Sequence, residues 1–500
     1  MKKILIILLT LIPIKHWAQE IDQKDLDAFV NTTIQKLKIA GASVLVANHG
    51  KLILNKGYGF ADLSHDVVAT SETTYFLVGP GGFILSTCIL QLIEQGRLSL
   101  NDDVSKYLPD FPLQGHPVKV SHLLSSTSGI IDYHYLGDPL ESTYRTPKAS
   151  DEVTALFAGR PFTSTEPGIK WDWSISNFAL LVDILEKVTG ASYKDYLQGN
   201  IIAPLDLKGT TYLEEKKVIK HLARGYGKQA GELFPTYQSM FTYDPSLRIS
   251  TSTGDLFKIW DAIKSNKLIS AKSFSMMTTP EGAAKQISTT EAGLSFGYIL
   301  RIKKVGDEMA IGLHGALPGY SSHCYYFPKK DLTIVVLANT SNQYANDIGL
   351  AIGLKLLGLP PAPERTIARN ELLNNSVTSA EQKTLVGTYS FRLAPDPQRH
   401  RSYNFYNRTL RILVEAGQLK MQKLGDSPEL LLKQDDGTFA TYSSPSGRLT
   451  FEIQNGKTTT ITISESGKPV STCTRVGNED VSTFHNAGRI QIKNNGGGLD

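Results

Sequence analysis

Apolar residues recur at helical spacing from Ile21 to Leu37, after which the period shortens: Ala42 to Asn48 and Lys51 to Tyr58 read as two strands joined at His49-Gly50. A helical stripe returns from Ser86 to Gln95, and Gly96 closes it. The chain then continues to about Ile263 as helices and loops, punctuated by Ser126-Thr127-Ser128-Gly129, Pro167-Gly168 and Val188-Thr189-Gly190. Strand patterns reappear over Phe296 to Arg301, Ala310 to Leu313, Ser321 to Phe327 and Leu332 to Leu337. Strands at both ends with helices between them predict one sheet assembled from the two ends, with a helical region inserted.

Pro360-Pro361-Ala362-Pro363 marks a linker, placed at 361–380. Beyond it, runs such as Leu410 to Val414, Leu430 to Lys433, Leu449 to Ile453 and Thr460 to Ile463 lie between turn signals that include Asn455-Gly456. This pattern predicts a small antiparallel β domain over 381–480. Residues 481–500, with Lys493-Asn494-Asn495-Gly496-Gly497-Gly498, are expected to be a disordered tail.

A hydrophobic content of 41% with 20% charged residues in 500 positions supports a large core. The net charge of +4, from 52 Lys and Arg against 48 Asp and Glu, comes with no long basic run, so a nucleic-acid partner is not expected. Residues 1–18, MKKILIILLTLIPIKHWA, place two lysines before an apolar run from Ile4 to Ile14 and a short polar stretch ending at Ala18. This is the pattern of a secretory signal peptide, and it predicts export to the periplasm or the exterior. The apolar run is too short for a membrane span, and no later segment is long enough. Cys88, Cys324 and Cys473 form neither a metal-ligand spacing nor a disulfide framework, and read as small buried hydrophobes. His122, His134, His314 and His323 show no His-x-x-x-His spacing, so no metal is expected. Gly79-Pro80-Gly81-Gly82 lacks one of the N–H groups a phosphate loop would use, and no cofactor is expected.

Five blocks carry a family resemblance: Leu90 to Phe111 (LQLIEQGRLSLNDDVSKYLPDF), Val118 to Ile130 (VKVSHLLSSTSGI), Glu166 to Ser174 (EPGIKWDWS), Ile249 to Trp260 (ISTSTGDLFKIW) and Ala316 to Asn342 (ALPGYSSHCYYFPKKDLTIVVLANTSN). In this order the chain resembles the serine β-lactamase and penicillin-binding-protein group, especially class C-like esterases and D-aminopeptidase or carboxypeptidase relatives, over roughly Leu26 to Leu357. The resemblance implies an α/β (α+β) fold with a β-lactamase/transpeptidase-like antiparallel sheet and a helical subdomain over 19–360, followed by the small all-β domain. It also implies a serine acyl-transfer mechanism. A Ser-x-x-Lys turn supplies nucleophile and base, two backbone N–H groups hold the oxyanion, and Tyr-x-Asn and Lys or His-x-Gly motifs complete the pocket.

The family's catalytic residues do not map onto this chain. The Phe-x-x-Gly-Ser-x-x-Lys pattern laid on Phe76-Leu77-Val78-Gly79 puts the serine at Pro80 and the lysine at Phe83. Proline lacks the hydroxyl and also the backbone N–H that would be an oxyanion donor. No serine anywhere in the chain is followed three residues later by lysine. Counting from Pro167-Gly168, Tyr-x-Asn falls on Trp173 and Ile175, with Ser174 between them and Asn177 two residues on as a re-registered alternative. In Gly312 to Gly319 the Lys or His position is Leu313 without a gap, which keeps the family spacing, or His314 with a one-residue gap.

No catalytic set is therefore expected to be intact. Candidate pocket residues are Tyr133, His134, Trp173, Ser174, Asn177, His314 and Tyr320. Aromatic rings after the Thr-Ser-Gly turn would suit a small molecule, peptide or glycan, although an ordinary polar loop is the preferred reading of that stretch. Three functional readings follow. One is an exported pseudoenzyme that binds a peptide, glycan or cell-wall fragment in the former cleft. Another is an active serine hydrolase with a relocated nucleophile, Ser174 or Ser86 with His314; otherwise Ser86 reads as an interior helix residue bonding a carbonyl. In the third, the C-terminal β domain does the binding and the larger domain is a scaffold.

Overall fold

The computed structural model describes residues 21–132, 165–214, 218–229, 232–236, 248–285, 294–361, 377–392 and 409–477, with short gaps in the last range at 416–417, 424–428, 435, 442–446 and 466–467. The expected signal peptide, the tail at 481–500, Tyr133 and His134 lie outside the described residues.

Helix α1 (Gln23–Leu37) starts where Asp22 accepts hydrogen bonds from the N–H groups of Lys24 and Asp25, and it turns off at Lys38 in the left-handed region (φ 49°). Its buried stripe, Leu26, Val30 and Ile34, follows the helical period that marked it in the sequence. The strands β1 (Gly41–Asn48), β2 (Lys51–Asp62), β3 (Val67–Val68), β4 (Ser295–Phe296), β5 (Arg301–Val305), β6 (Glu308–Leu317), β7 (Tyr320–Phe327) and β8 (Leu332–Ala338) form one sheet in the order β3-β2-β1-β8-β7-β6-β5-β4. Every pairing is antiparallel, and the two ends of the sequence meet at the centre, where Val44 faces Lys56 on one side and Val336 on the other.

The central strands are buried on both faces and so lack a simple alternation of apolar and polar residues. Val44, Val46, Tyr325, Ile334 and Val336 face α1 and helix α6 (Tyr344–Leu356), whereas Leu45, Leu313, Cys324, Val335 and Leu337 face the helical region. That region contains α2 (Gly81–Glu94), α3 (Val120–Leu124), α4 (Ile175–Thr189) and α5 (Thr253–Lys264). Two expectations are corrected. The strand expected over Phe296 to Arg301 is two strands, because the chain reverses through Gly297 to Leu300 with Ile299 in the left-handed region (φ 60°). Helix α2 begins at Gly81, one turn before its apolar stripe becomes regular, because a proline at the start of a helix loses no intrahelical bond.

The C-terminal strands, between Gly387 and Gly477, close into an eight-stranded antiparallel barrel. The first strand, Gly387–Arg392, pairs with both Thr409–Glu415 and Lys468–Gly477, so no edge is left open. Tyr389, Ile412, Leu431, Phe439, Ile461 and Cys473 are among the side chains of its core. Helix α7 (Ser379–Leu385) leads into the barrel and is started by a reciprocal cap between Thr378 and Glu381.

Helix α6 packs very closely on β7. His323 is buried and lies against Gly349; a Cβ added at Gly349 would stand 2.3 to 2.6 Å from three atoms of the imidazole. The ring is fixed by Asn346 Oδ1, 3.2 Å from Nδ1, and burial followed by the Lys303 ammonium pushes its pKa down to about 3. Gly349→Ala is expected to lower stability by about 1–3 kcal/mol through overpacking, read as a lower urea midpoint at unchanged slope.

Candidate functional site

The segment leading into α2 is pressed against the backbone of β6. Gly79 has φ +81°, and a Cβ there would lie 2.6 Å from the His314 carbonyl oxygen; one at Gly315 would lie 2.9 Å from Gly79 N. Only glycine suits both the conformation and the space at position 79. Pro80 follows with φ −55° and ψ −21°, and the turn is held by Gly82 N–H to Gly79 O (2.8 Å) and Phe83 N–H to Pro80 O (3.2 Å). A proline ring is preorganised for this geometry, so the fold keeps its turn although the position offers neither a hydroxyl nor an N–H.

Apolar side chains fill the space next to this turn. Phe83 is fully buried, with its ring edge-on to Trp260 of α5 at 5.3 Å. A Cβ at Gly82 would meet Ile299 Cγ2 at 2.6 Å, Phe178 Cε1 at 2.8 Å and Leu313 Cδ1 at 3.6 Å. These three side chains come from the β4–β5 turn, α4 and β6, and converge on the first turn of α2. Of the two candidates on β6, Leu313 faces this turn.

His314 projects from the other face of the sheet, as strand alternation requires. Its Nε2 is 2.6 Å from Arg301 Nη1 and its Nδ1 is 3.0 Å from the Tyr325 hydroxyl. A guanidinium only donates, so Nε2 accepts and Nδ1 carries the proton. The lone pair a general base would need is thus already engaged.

The N-terminus of α4 carries the other candidates. Trp173 is half-buried, packed on Phe178 at 5.1 Å and on Phe296 at 6.0 Å, while Trp171 stacks on Phe296 at 4.3 Å. The Ile175 N–H donates to Asp132 Oδ2 (3.2 Å). Ser174 is 2% exposed and its Oγ has no hydrogen-bond partner among the described residues, so none of them places a base within reach of that hydroxyl. Ser86 is likewise buried within α2 with an unpartnered Oγ; it does not bond a helix carbonyl as expected from its position. Asn177 is 1% exposed, and its Oδ1 accepts from Ser128 Oγ at 2.6 Å. Tyr320 is a buried ring beside Phe76 whose hydroxyl donates to Ala223 O (2.8 Å). The three thiols are buried, and burial pushes each of their pKa values up. Among the described residues no group of three His, Cys, Asp or Glu side chains could hold a metal, and no helix is long and apolar enough to cross a membrane.

The structure therefore brings Pro80, Phe83 and Leu313 to one place and sets Trp173 beside the same apolar cluster through Phe178. Sequence reasoning missed Phe178, Ile299 and Trp260, which fill that place. Phe178 and Ile299 lie in no motif, and Trp260 only ends one of the five resemblance blocks without a catalytic position in it; the convergence of distant segments gives all three their role.

An antiparallel sheet with a helical region, and a helix starting beside a sheet strand, define the architecture of serine β-lactamases and penicillin-binding proteins. The Beta-lactamase family model matches residues 26–357, and the chain belongs to that family. Protein flp of Staphylococcus aureus (strain MW2) is 30% identical over 328 residues, covering 64% of this chain and 64% of that protein. The chain thus spans about 64% of the length of that relative. Among solved structures, the octameric penicillin-binding protein homologue from Pyrococcus abyssi is similar in fold over 90% of this chain and 100% of that one, with a TM-score of 0.62 at 22% identity. D-amino acid amidase from Ochrobactrum anthropi SV3, complexed with L-phenylalanine amide, matches 67% of this chain and 99% of that one, with a TM-score of 0.59 at 18% identity.

Phe83→Lys would put an ammonium into a fully apolar contact and remove the Trp260 packing. The expected loss is more than about 3 kcal/mol, measured by denaturant unfolding; a lysine tolerated without cost would show that the position is wetter than its contacts indicate.

Proposed function

We propose that this member of the beta-lactamase family is an exported pseudoenzyme that binds a peptide, glycan or cell-wall fragment at the former catalytic cleft without cleaving it. The observation that carries this reading is the closure of Ile299, Phe178 and Leu313 over Gly82, with Pro80 in the nucleophile's place. Acyl transfer needs a nucleophile within hydrogen-bond reach of a base and two donors for the oxyanion. Here one donor is removed by the proline, and the base position is a phenylalanine packed on Trp260. The reading of export rests on residues 1–18, and that of ligand binding on the half-buried Trp171 and Trp173 beside the filled centre. The amidase and penicillin-binding-protein relatives suggest peptide-like or cell-wall ligands by analogy of fold.

The test is intact-protein mass spectrometry of the folded chain after exposure to a penicillin and, separately, to a fluorophosphonate. No mass increase is expected with either reagent. The double variant Pro80→Ser with Phe83→Lys, if folded, is also expected to give none, because Trp173, Ile175 and Leu313 still leave the centre without its other polar groups. A stoichiometric adduct on one serine of the unaltered chain would establish a relocated nucleophile and overturn the proposal.

A further inference from the structure

The loop that carries Trp171 and Trp173 rests on α3, and one imidazole lies at the contact. His122 Nδ1 accepts the Lys119 backbone N–H at 3.2 Å, the bond that starts α3. On its other side, His122 Nε2 lies 3.4 Å from where a Cβ of Gly168 would stand, and Gly168 has φ +85°. The loop is tied to the turn after α3 by Gly168 N–H to Thr127 O (2.7 Å) and Asp172 N–H to Ser126 O (2.9 Å), and Thr127 N–H in turn donates to His122 O (2.9 Å). These three bonds all lie at His122 or within five residues of it.

We propose that His122 is a pH-sensitive latch: protonation of its Nδ1 breaks the bond from Lys119 and loosens the Trp171–Trp173 loop. A protonated imidazole has two donors and no acceptor, so Nδ1–H would face the Lys119 N–H, donor against donor. Among the described residues, these charged groups face it from the elements around it. The Lys119 ammonium opposes protonation and Asp103 favours it. On the loop side, Glu166 is paired with His116 at 2.9 Å, and Lys170 and Asp172 are the other charged side chains. Burial first, and then Lys119, hold the imidazole below its ordinary 6.5, with Asp103 acting in the other direction. The sign follows from linkage. The folded state favours the neutral ring, so the latch is intact above the unfolded value and is lost as pH falls below about 6.5.

The experiment is an NMR titration of the full chain from about pH 7.5 to about pH 5, following the tryptophan indole N–H signals and the histidine ring carbons. The expected result is that Trp171 and Trp173 shift together, with a midpoint that matches the His122 ring and lies below 6.5, while Trp260 in the core does not move. His122→Gln keeps a side-chain acceptor at the position but does not titrate, and it should abolish the shift. The proposal is overturned if the two indoles do not move in the unaltered chain, if they move with a midpoint different from that of the His122 ring, if the shift persists in His122→Gln, or if His116→Gln removes it instead. Should His122→Gln fail to fold, agreement or disagreement between the ring and indole midpoints in the unaltered chain decides the matter.

Discussion

Much of the helical region takes its position from one close approach, that of the chain at Val78-Gly79 to the backbone of β6 at His314-Gly315. No side chain fits between them, so the two backbones set the direction of the helix that follows, and the Val78 N–H also donates to Ser322 Oγ at 3.2 Å. The first turn of α2 then lies where the strand, α4 and the β4–β5 turn meet, and whatever side chains these elements carry must share one small volume. In a serine hydrolase that volume has to be polar and open to a substrate. In this chain Ile299, Phe178 and Leu313 occupy it.

Pro80 shows how a fold can keep its turn at a position that offers neither a hydroxyl nor an N–H. A helix N-terminus leaves its first N–H groups without intrahelical partners, so a proline there costs the helix little. The same N–H is one of the donors an acyl-transfer centre would need. Phe83 completes the change by exchanging a possible ammonium for a ring edge on Trp260. A lysine at that depth would need a counter-charge or an open path to water, whereas the phenyl ring needs only close packing. Once the base position and the nucleophile position are both apolar, further apolar side chains around them stabilise the closed arrangement.

The two candidate positions on β6 illustrate how register decides chemistry. His314 and Leu313 are neighbours in sequence, yet strand alternation sends them to opposite faces. Leu313 reaches the turn of α2, and His314 is engaged by Arg301 and Tyr325. A one-residue gap in an alignment would exchange their roles, so the sequence left both assignments open. Ser174 is a similar case. It sits among motif positions, but its hydroxyl is buried and no described residue places a base near it.

Local pattern was enough to read α1, the paired strands at both ends of the larger domain, the helical region between them and the β-rich C-terminal part, because periodicity and turn residues are written along the chain. The loss of a Ser-x-x-Lys turn was equally legible, since a missing hydroxyl and a missing N–H follow from residue type alone. Closure of the C-terminal strands into a barrel was not legible, because it depends on the pairing of Gly387–Arg392 with Lys468–Gly477, some 80 residues away in the chain by about the difference of their numbers. Nor was the apolar filling around the first turn of α2, since Phe178, Ile299 and Trp260 are ordinary apolar residues until folding brings them to Gly82 and Phe83. Residue chemistry by itself determined that this acyl-transfer motif is absent; tertiary packing alone decided what stands in its place, because non-local contacts have no period in the sequence to announce them.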